Sequence, residues 1–168
     1  MNILRSSLRL IDRLSPPDKV LAHCDIPCGI YDPHHAQIGA LTVMRMNQLI
    51  EAMEAPAMEK AARDKYMHNL ARYTAIKESH AELVKHEVRI IRGDFFKPEN
   101  SPKNLPEIME GIMKTASKAR QNIDMEAAEQ LLDLVNQFAE AFWTAKDVKT
   151  KKVGSHQAVG GEIVVPAD

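Results

Sequence analysis

The sequence is poor in cysteine and in aromatic residues, and neither sign of charge dominates it. Its 168 residues include 2 cysteines, 3 tyrosines, 4 phenylalanines and 1 tryptophan, and 22 basic side chains stand against 23 acidic ones. The balanced charge argues against nucleic acids and anionic membranes as partners, because both attract strongly basic surfaces. No apolar run approaches the roughly 20 residues of a membrane span. Both cysteines lie within five residues of each other, which argues against a disulfide scaffold.

Residues that favour helices are plentiful, above all alanine, methionine, leucine, glutamate and lysine. Apolar side chains recur at intervals of three and four residues in four segments. This pattern predicts helices at about 34–54 and 58–92, a third that fades near Arg120, and a fourth that Asp124 caps. Asp32 followed by Pro33 is a good start for the first helix. The short connections favour an all-α, up-and-down four-helix bundle.

The chain divides into three parts. Residues 1–22 combine leucine and isoleucine with regularly spaced arginines, which indicates a leader removed on maturation rather than an export signal. Residues 23–148 hold the bundle, with a metal-binding hook at 23–31. Residues 149–168 turn to glycine and valine without a helical period and are predicted to form a flexible or edge-pairing tail.

The hook concentrates most of the chemically distinctive side chains of the chain. It reads His23-Cys24-Asp25-Ile26-Pro27-Cys28-Gly29-Ile30-Tyr31-Asp32-Pro33. If the chain is cut between Ala22 and His23, a free amine, an imidazole, an amide nitrogen and two thiolates come within reach of one ion. Two nitrogens and two sulfurs in a plane suit nickel or copper better than zinc, which prefers a tetrahedron.

Less specific interpretations exist for each of these residues. The cysteine pair alone is compatible with a local disulfide or a thiol redox pair, although neither needs His23 directly before Cys24. Tyr31 alone is typical of a packed aromatic, and His80 alone of a core histidine with satisfied hydrogen bonds. Lys97 alone is typical of a surface lysine. The remaining histidines are interpreted as surface or helix-end residues: His34, His35, His68, His86 and His156.

The segment HCDIPCGIYDP resembles the hook of nickel-containing superoxide dismutases, in precursor form with an N-terminal leader. The similarity continues in IKESHAELVKHEV, GDFFKP, the PEI segment at 106–108 and AFWTAK, and covers about 23–146. It implies disproportionation of the superoxide anion to dioxygen and hydrogen peroxide at one nickel ion that alternates between the divalent and trivalent states. It also implies a cytoplasmic antioxidant homohexamer and a maturation protease that cleaves Ala22-His23.

The resemblance also implies a role for each residue of the site. The nickel ligands are the amine and imidazole of His23, the amide nitrogen and sulfur of Cys24, and the sulfur of Cys28. Tyr31 stands by the vacant face of the metal. Asp25 and Cys28 contribute backbone N–H groups, and Pro27 constrains the hook, with a cis bond before it as a hypothesis. Lys97 attracts superoxide by its charge.

Two positions depart from the family pattern, which has a glutamate and an arginine that support the histidine imidazole. The matching residues are Gly39 and His80. We expect His80 to orient the His23 imidazole instead, directly or through a water in the space left at Gly39. Phe95 stands where a tyrosine is common, so a hydrogen bond to Tyr31 is in question.

Two other classes of function remain open from the sequence. An uncut chain, in which His23 stays internal, fits a thiol- or metal-binding regulator without catalysis. A purely structural bundle is the third possibility, and it predicts that Cys24→Ser changes only local order.

Overall fold

A computed structural model describes residues 29–167 of the chain. It contains four helices followed by two strands: α1 His34–Glu51, α2 Lys60–Asp94, α3 Leu105–Gln121, α4 Met125–Thr144, β1 Thr150–Gly154 and β2 Glu162–Pro166. Both α1 and α3 pack against α2 and α4, so the four helices close around one core. The predicted four-helix bundle is confirmed. Within the described residues, no helix is long and apolar enough to cross a membrane.

Aspartates hold the starts of two helices, but only Asp124 occupies the N-cap position predicted for it. The Asp32 carboxylate accepts a hydrogen bond of 2.8 Å from the His34 amide, although the helix begins at His34 and Pro33 occupies its N-cap position. The Asp124 carboxylate accepts a 2.8 Å hydrogen bond from the Ala127 amide at the start of α4. Each side chain satisfies an amide that has no partner within the helix.

The core consists of apolar side chains that the helices bury at three- and four-residue spacing. Small residues let the helices approach closely, and larger ones from α4 fill the centre. The fully buried members include Ala36, Ala40, Val43, Ala81, Val84, Val88, Ile112, Leu131, Val135, Phe138 and Phe142.

The first half of α2 extends beyond this core. None of its side chains from Lys60 to Ile76 is buried, and Met67 is 61% exposed. Leu70 and Tyr73 were predicted to face the core but are only partly buried. The prediction fails here because α2, with 35 residues, is about twice as long as α1 and α3, with 18 and 17. The amphipathic pattern continues where no other helix of residues 29–167 covers it.

The C-terminal segment was predicted to be a flexible or edge-pairing tail, and it forms a hairpin. β1 and β2 pair antiparallel, with Lys152 opposite Val164. Ile163 and Val164 are buried against the bundle. The amide side chain of Gln37 in α1 donates to the Val164 carbonyl at 3.0 Å, and that of Asn136 in α4 donates to the Glu162 carbonyl at 2.9 Å. These bonds fix the hairpin to α4, which precedes it, and to α1, which is far from it in sequence.

Candidate metal centre

The predicted metal ligands lie outside the part of the chain that the structure describes. This applies to His23, Cys24 and Cys28, and to Asp25 and Pro27 beside them. Their roles therefore stay predictions.

The described chain begins at the last part of the hook. Gly29 has a φ of +62°, in the left-handed region that glycine adopts without strain. A Cβ added there would meet nothing within 4 Å. Conformation, and not lack of space, is therefore what favours glycine at this position.

Tyr31 lies at the edge of an aromatic cluster at one end of the bundle. Its ring centroid is 6.3 Å from that of Phe95, which is 4.6 Å from Phe142 and 5.1 Å from Phe96. Trp143 stacks edge-on against Phe142 at 5.0 Å. The cluster joins residues from the hook, the end of α2 and the end of α4. Because Phe95 has no hydroxyl, its ring offers Tyr31 an aromatic contact and no hydrogen bond.

A cleft of about 650 Å³ adjoins Tyr31, between the start of α1 and the last turns of α2. Its lining includes the carboxylates Asp32, Glu87 and Asp94, and the side chain of Ile90. Ile30, which is 83% exposed, borders the same cleft. The segment that leads out of the hook thus runs along an open depression at the bundle surface.

Histidines also reach this cleft, since His34, His35 and His86 line it. Within residues 29–167, however, no group of three or more histidine, cysteine, aspartate or glutamate side chains is arranged to hold a metal ion. The hook supplies two thiolates, an amine and an amide nitrogen. This combination of sulfur and nitrogen donors suits nickel.

Gly39 lies at a close contact between α1 and α2. A Cβ at this position would be 2.8 Å from Cγ2 of Val84 and 3.3 Å from the carbonyl oxygen of His80. The backbone of α2 and the Val84 side chain therefore occupy the neighbouring space. The space predicted for a water beside Gly39 is absent, because α1 and α2 pack closely where the glycine has no side chain.

His80 lies on α2 at the level of Gly39 and is half-buried. Its Nδ1 is 2.8 Å from the Ile76 carbonyl oxygen and 3.3 Å from the Ser79 hydroxyl. A carbonyl oxygen can only accept, so Nδ1 carries the proton in this geometry. Among the described residues Nε2 has no hydrogen-bond partner. In the tautomer with the proton on Nδ1, Nε2 is an acceptor.

Lys97 and Lys146 are the two exposed lysines nearest the aromatic cluster in sequence. The backbone amide of Lys97, one residue after Phe96, donates to Asn100 Oδ1 at 2.6 Å, and its side chain is exposed. The Lys146 ammonium lies over three rings of the cluster, 5.1 Å from Phe142, 5.6 Å from Trp143 and 6.0 Å from Phe95. Sequence reasoning passed over Lys146, although its spacing of three and four residues from the two aromatics was a usable signal.

The family model for nickel-containing superoxide dismutase matches residues 18–146 of the chain. The chain belongs to the nickel-containing superoxide dismutase family. Superoxide dismutases [Ni] of Streptomyces seoulensis and Streptomyces coelicolor are each 35% identical to it over 140 residues, which is 82% of this chain and 98% of theirs.

Solved structures agree with this assignment. A native nickel superoxide dismutase structure superimposes with a TM-score of 0.63 at 33% identity, and one with nickel ligation of the oxidised state with 0.64 at 32% identity. Each covers 74% of this chain and 99% of its own. The family model ends at residue 146, so the C-terminal hairpin lies outside the part of the chain that defines the nickel-containing superoxide dismutase family.

Proposed function

We propose that the protein disproportionates superoxide to dioxygen and hydrogen peroxide at one nickel ion held by the hook. Two superoxide anions and two protons yield one molecule of each product. Membership of the family supports this proposal, as does the presence of the complete hook sequence from His23 to Pro33. The bound nickel supplies the electron transfer, by alternating between the divalent and trivalent states.

The ligands in this proposal are the amine and imidazole of His23, the amide nitrogen and sulfur of Cys24, and the sulfur of Cys28. The amine exists only after a protease has cut before His23. Thiolate and deprotonated amide donors are anionic, and they stabilise the higher charge of the metal. Asp25 and Cys28 donate backbone N–H groups to the site, and Pro27 restricts the turn between the two cysteines.

Tyr31 acts on the substrate and not on the metal in this scheme. Its phenol holds water or superoxide and delivers protons for peroxide formation. The contact with Phe95 supports this role, because it orients the ring at the end of the bundle where the hook begins. The hydrogen bond from the His34 amide to Asp32 fixes the next residue and so limits where Tyr31 can move.

In this proposal His80 supports the His23 imidazole in place of the glutamate and arginine of the family pattern. Its protonated Nδ1 is engaged with the Ile76 carbonyl, so Nε2 accepts a hydrogen bond from the His23 imidazole. Val84 occupies the space next to Gly39, which favours a direct contact over one through water. Lys97 contributes a positive charge near the site, as the resemblance implies.

A cytoplasmic homohexamer is the assembly that the family resemblance implies, and one feature of this chain supports self-association. The uncovered half of α2 keeps an amphipathic pattern, with the partly buried Tyr66, Leu70 and Tyr73 on one side. A second copy that packs there would bury these side chains and the exposed Met67.

Mass spectrometry of protein purified from its own cells, with metal analysis and a superoxide assay, tests the proposal. We expect a chain that starts at His23, one nickel per chain and rapid consumption of superoxide. Cys24→Ser and Cys28→Ser should each lose nickel and activity while keeping the helical circular dichroism of the wild type. An intact Met1 with zinc or a local disulfide, and no superoxide consumption, would instead support a thiol- or metal-binding regulator.

A further inference from the structure

Lys146 has no acidic partner among the described residues. Other lysines and arginines pair with carboxylates within 4.0 Å, namely Lys60, Arg89, Lys114, Lys118, Arg120 and Lys152. No carboxylate of residues 29–167 lies that close to the Lys146 ammonium. Within that part of the chain, no ion pair neutralises its positive charge.

The aromatic cluster also fixes where this charge lies. A lysine side chain has a flexible four-carbon stem and normally samples many rotamers. Here three rings each lie within the roughly 6 Å at which the face of an aromatic ring attracts a cation. Phe142 is fully buried, so the rings themselves are held by the core, while the Lys146 side chain remains exposed. The exposed ammonium of Lys146 is therefore held in a defined position.

The position lies next to Tyr31. The Lys146 ammonium is 6.0 Å from the Phe95 centroid, and that centroid is 6.3 Å from the Tyr31 centroid. Together these distances limit the separation of the charge from the Tyr31 ring to about 12 Å. Tyr31 also lines the cleft that holds Asp32, Glu87 and Asp94, whose negative charges repel an anion. The charge of Lys146 attracts an anion and lies within about 12 Å of the same ring.

We propose that Lys146 is a steering residue that draws the superoxide anion to Tyr31 from the side of the aromatic cluster. This role rests on the proposed superoxide dismutase function. A unit charge at about 12 Å in water raises the local concentration of a monovalent anion by about 1.5- to twofold at low salt. The effect fades as the screening length shortens from about 30 Å at 0.01 M to about 10 Å at 0.1 M salt.

The first measurement is the second-order rate of superoxide consumption by the processed, nickel-loaded protein as a function of ionic strength. We expect Lys146→Gln to lower the rate by about 1.5- to twofold at 0.01 M salt and to flatten its decline with salt. Lys146→Arg should restore both, because it keeps the charge over the rings. Lys65→Gln removes an equal charge from an exposed site near the other end of α2, and should change neither.

The second measurement needs neither nickel nor turnover. Trp143 is the only tryptophan of the chain, and its ring lies 5.6 Å from the Lys146 ammonium. The quenching constant of each quencher is first divided by its value for free tryptophan. Iodide is an anion, so its corrected constant should exceed that of neutral acrylamide. Lys146→Gln should lower the ratio of the iodide to the acrylamide quenching constant by about two- to threefold, and Lys65→Gln should leave it unchanged.

The outcomes separate this role from the proposed function. If wild-type protein is active but Lys146→Gln keeps the wild-type rate and salt dependence, the steering role is wrong and the function stands. If Lys146→Arg fails to restore what Lys146→Gln loses, the residue acts through packing and the steering role is again wrong. If nickel-loaded wild-type protein consumes no superoxide, the function is wrong and the steering role falls with it.

Discussion

Gly39 gives the sharpest test of the helix packing beneath the site, through the substitution Gly39→Ala. Position 39 is in the interior of α1 and Gly39 has no positive φ, so alanine suits its backbone. On helix propensity alone, the substitution should stabilise the protein by about 1 kcal/mol. The new methyl group, however, would lie 2.8 Å from Cγ2 of Val84.

Neither neighbour can move away cheaply. Val84 is fully buried and its branched side chain is restricted at χ1, while the second contact, at 3.3 Å, is the backbone carbonyl of His80. Overpacking of this kind costs about 1–3 kcal/mol. We therefore expect Gly39→Ala to lower the free energy of unfolding by up to about 2 kcal/mol, as the difference between the overpacking cost and the propensity gain.

Urea unfolding of four proteins measures this directly: wild type, Gly39→Ala, Val84→Ala and the double variant. Removal of Cγ2 relieves the contact, so in the Val84→Ala background the alanine at 39 should stabilise by about 1 kcal/mol. Gly93→Ala is the control, because a Cβ at Gly93 meets nothing within 4 Å. Equal stabilisation by Gly39→Ala in both backgrounds would refute the close packing of α1 on α2.

Three further predictions concern the hairpin, a helix cap and the site. Asn136→Ala should lower the free energy of unfolding by about 1–3 kcal/mol by leaving buried partners on β2 and α1 unpaired, and Gln137→Ala, at an exposed neighbour, should have little effect. Hydrogen bonds from the Ala127 amide and then a lysine hold the pKa of Asp124 below its usual range. Its stabilisation is therefore present above about pH 4 and lost as the pH falls, so the melting temperatures of wild type and Asp124→Asn should converge in acid. His80→Gln in the mature enzyme should weaken the trivalent nickel signal in electron paramagnetic resonance, and an unchanged spectrum would contradict the role of His80.

Local sequence signals predicted the parts of the fold that depend on local interactions. Asp124 caps α4 because its carboxylate reaches an amide three residues ahead, and no other part of the chain is needed for that bond. The buried stripe of α4, with Leu131, Val135, Phe138 and Phe142, follows from helical periodicity in the same way. The hook is also local, since its donors lie within a few residues of each other.

Predictions failed where two distant segments decide the outcome. Because residues 149–168 have no helical period, the sequence left a flexible tail and an edge-pairing tail as alternatives, and hydrogen bonds from Gln37 and Asn136 hold it as a hairpin. Gly39 was predicted to leave a space, yet Val84 fills it. A periodicity argument contains no information about which side chain of another helix lies opposite.

The sequence by itself determined the helices and the cap of α4, and it predicts the donor set for nickel, because propensity, spacing and ligand chemistry act over a few neighbouring residues. Only the tertiary structure decided the surroundings of Tyr31. Its contact with Phe95 and the position of Lys146 over the aromatic rings depend on the ends of α2 and α4 meeting at one end of the bundle. The effect of a charge depends on its distance in space, and the distance from Lys146 to Tyr31 is set only when the helices pack.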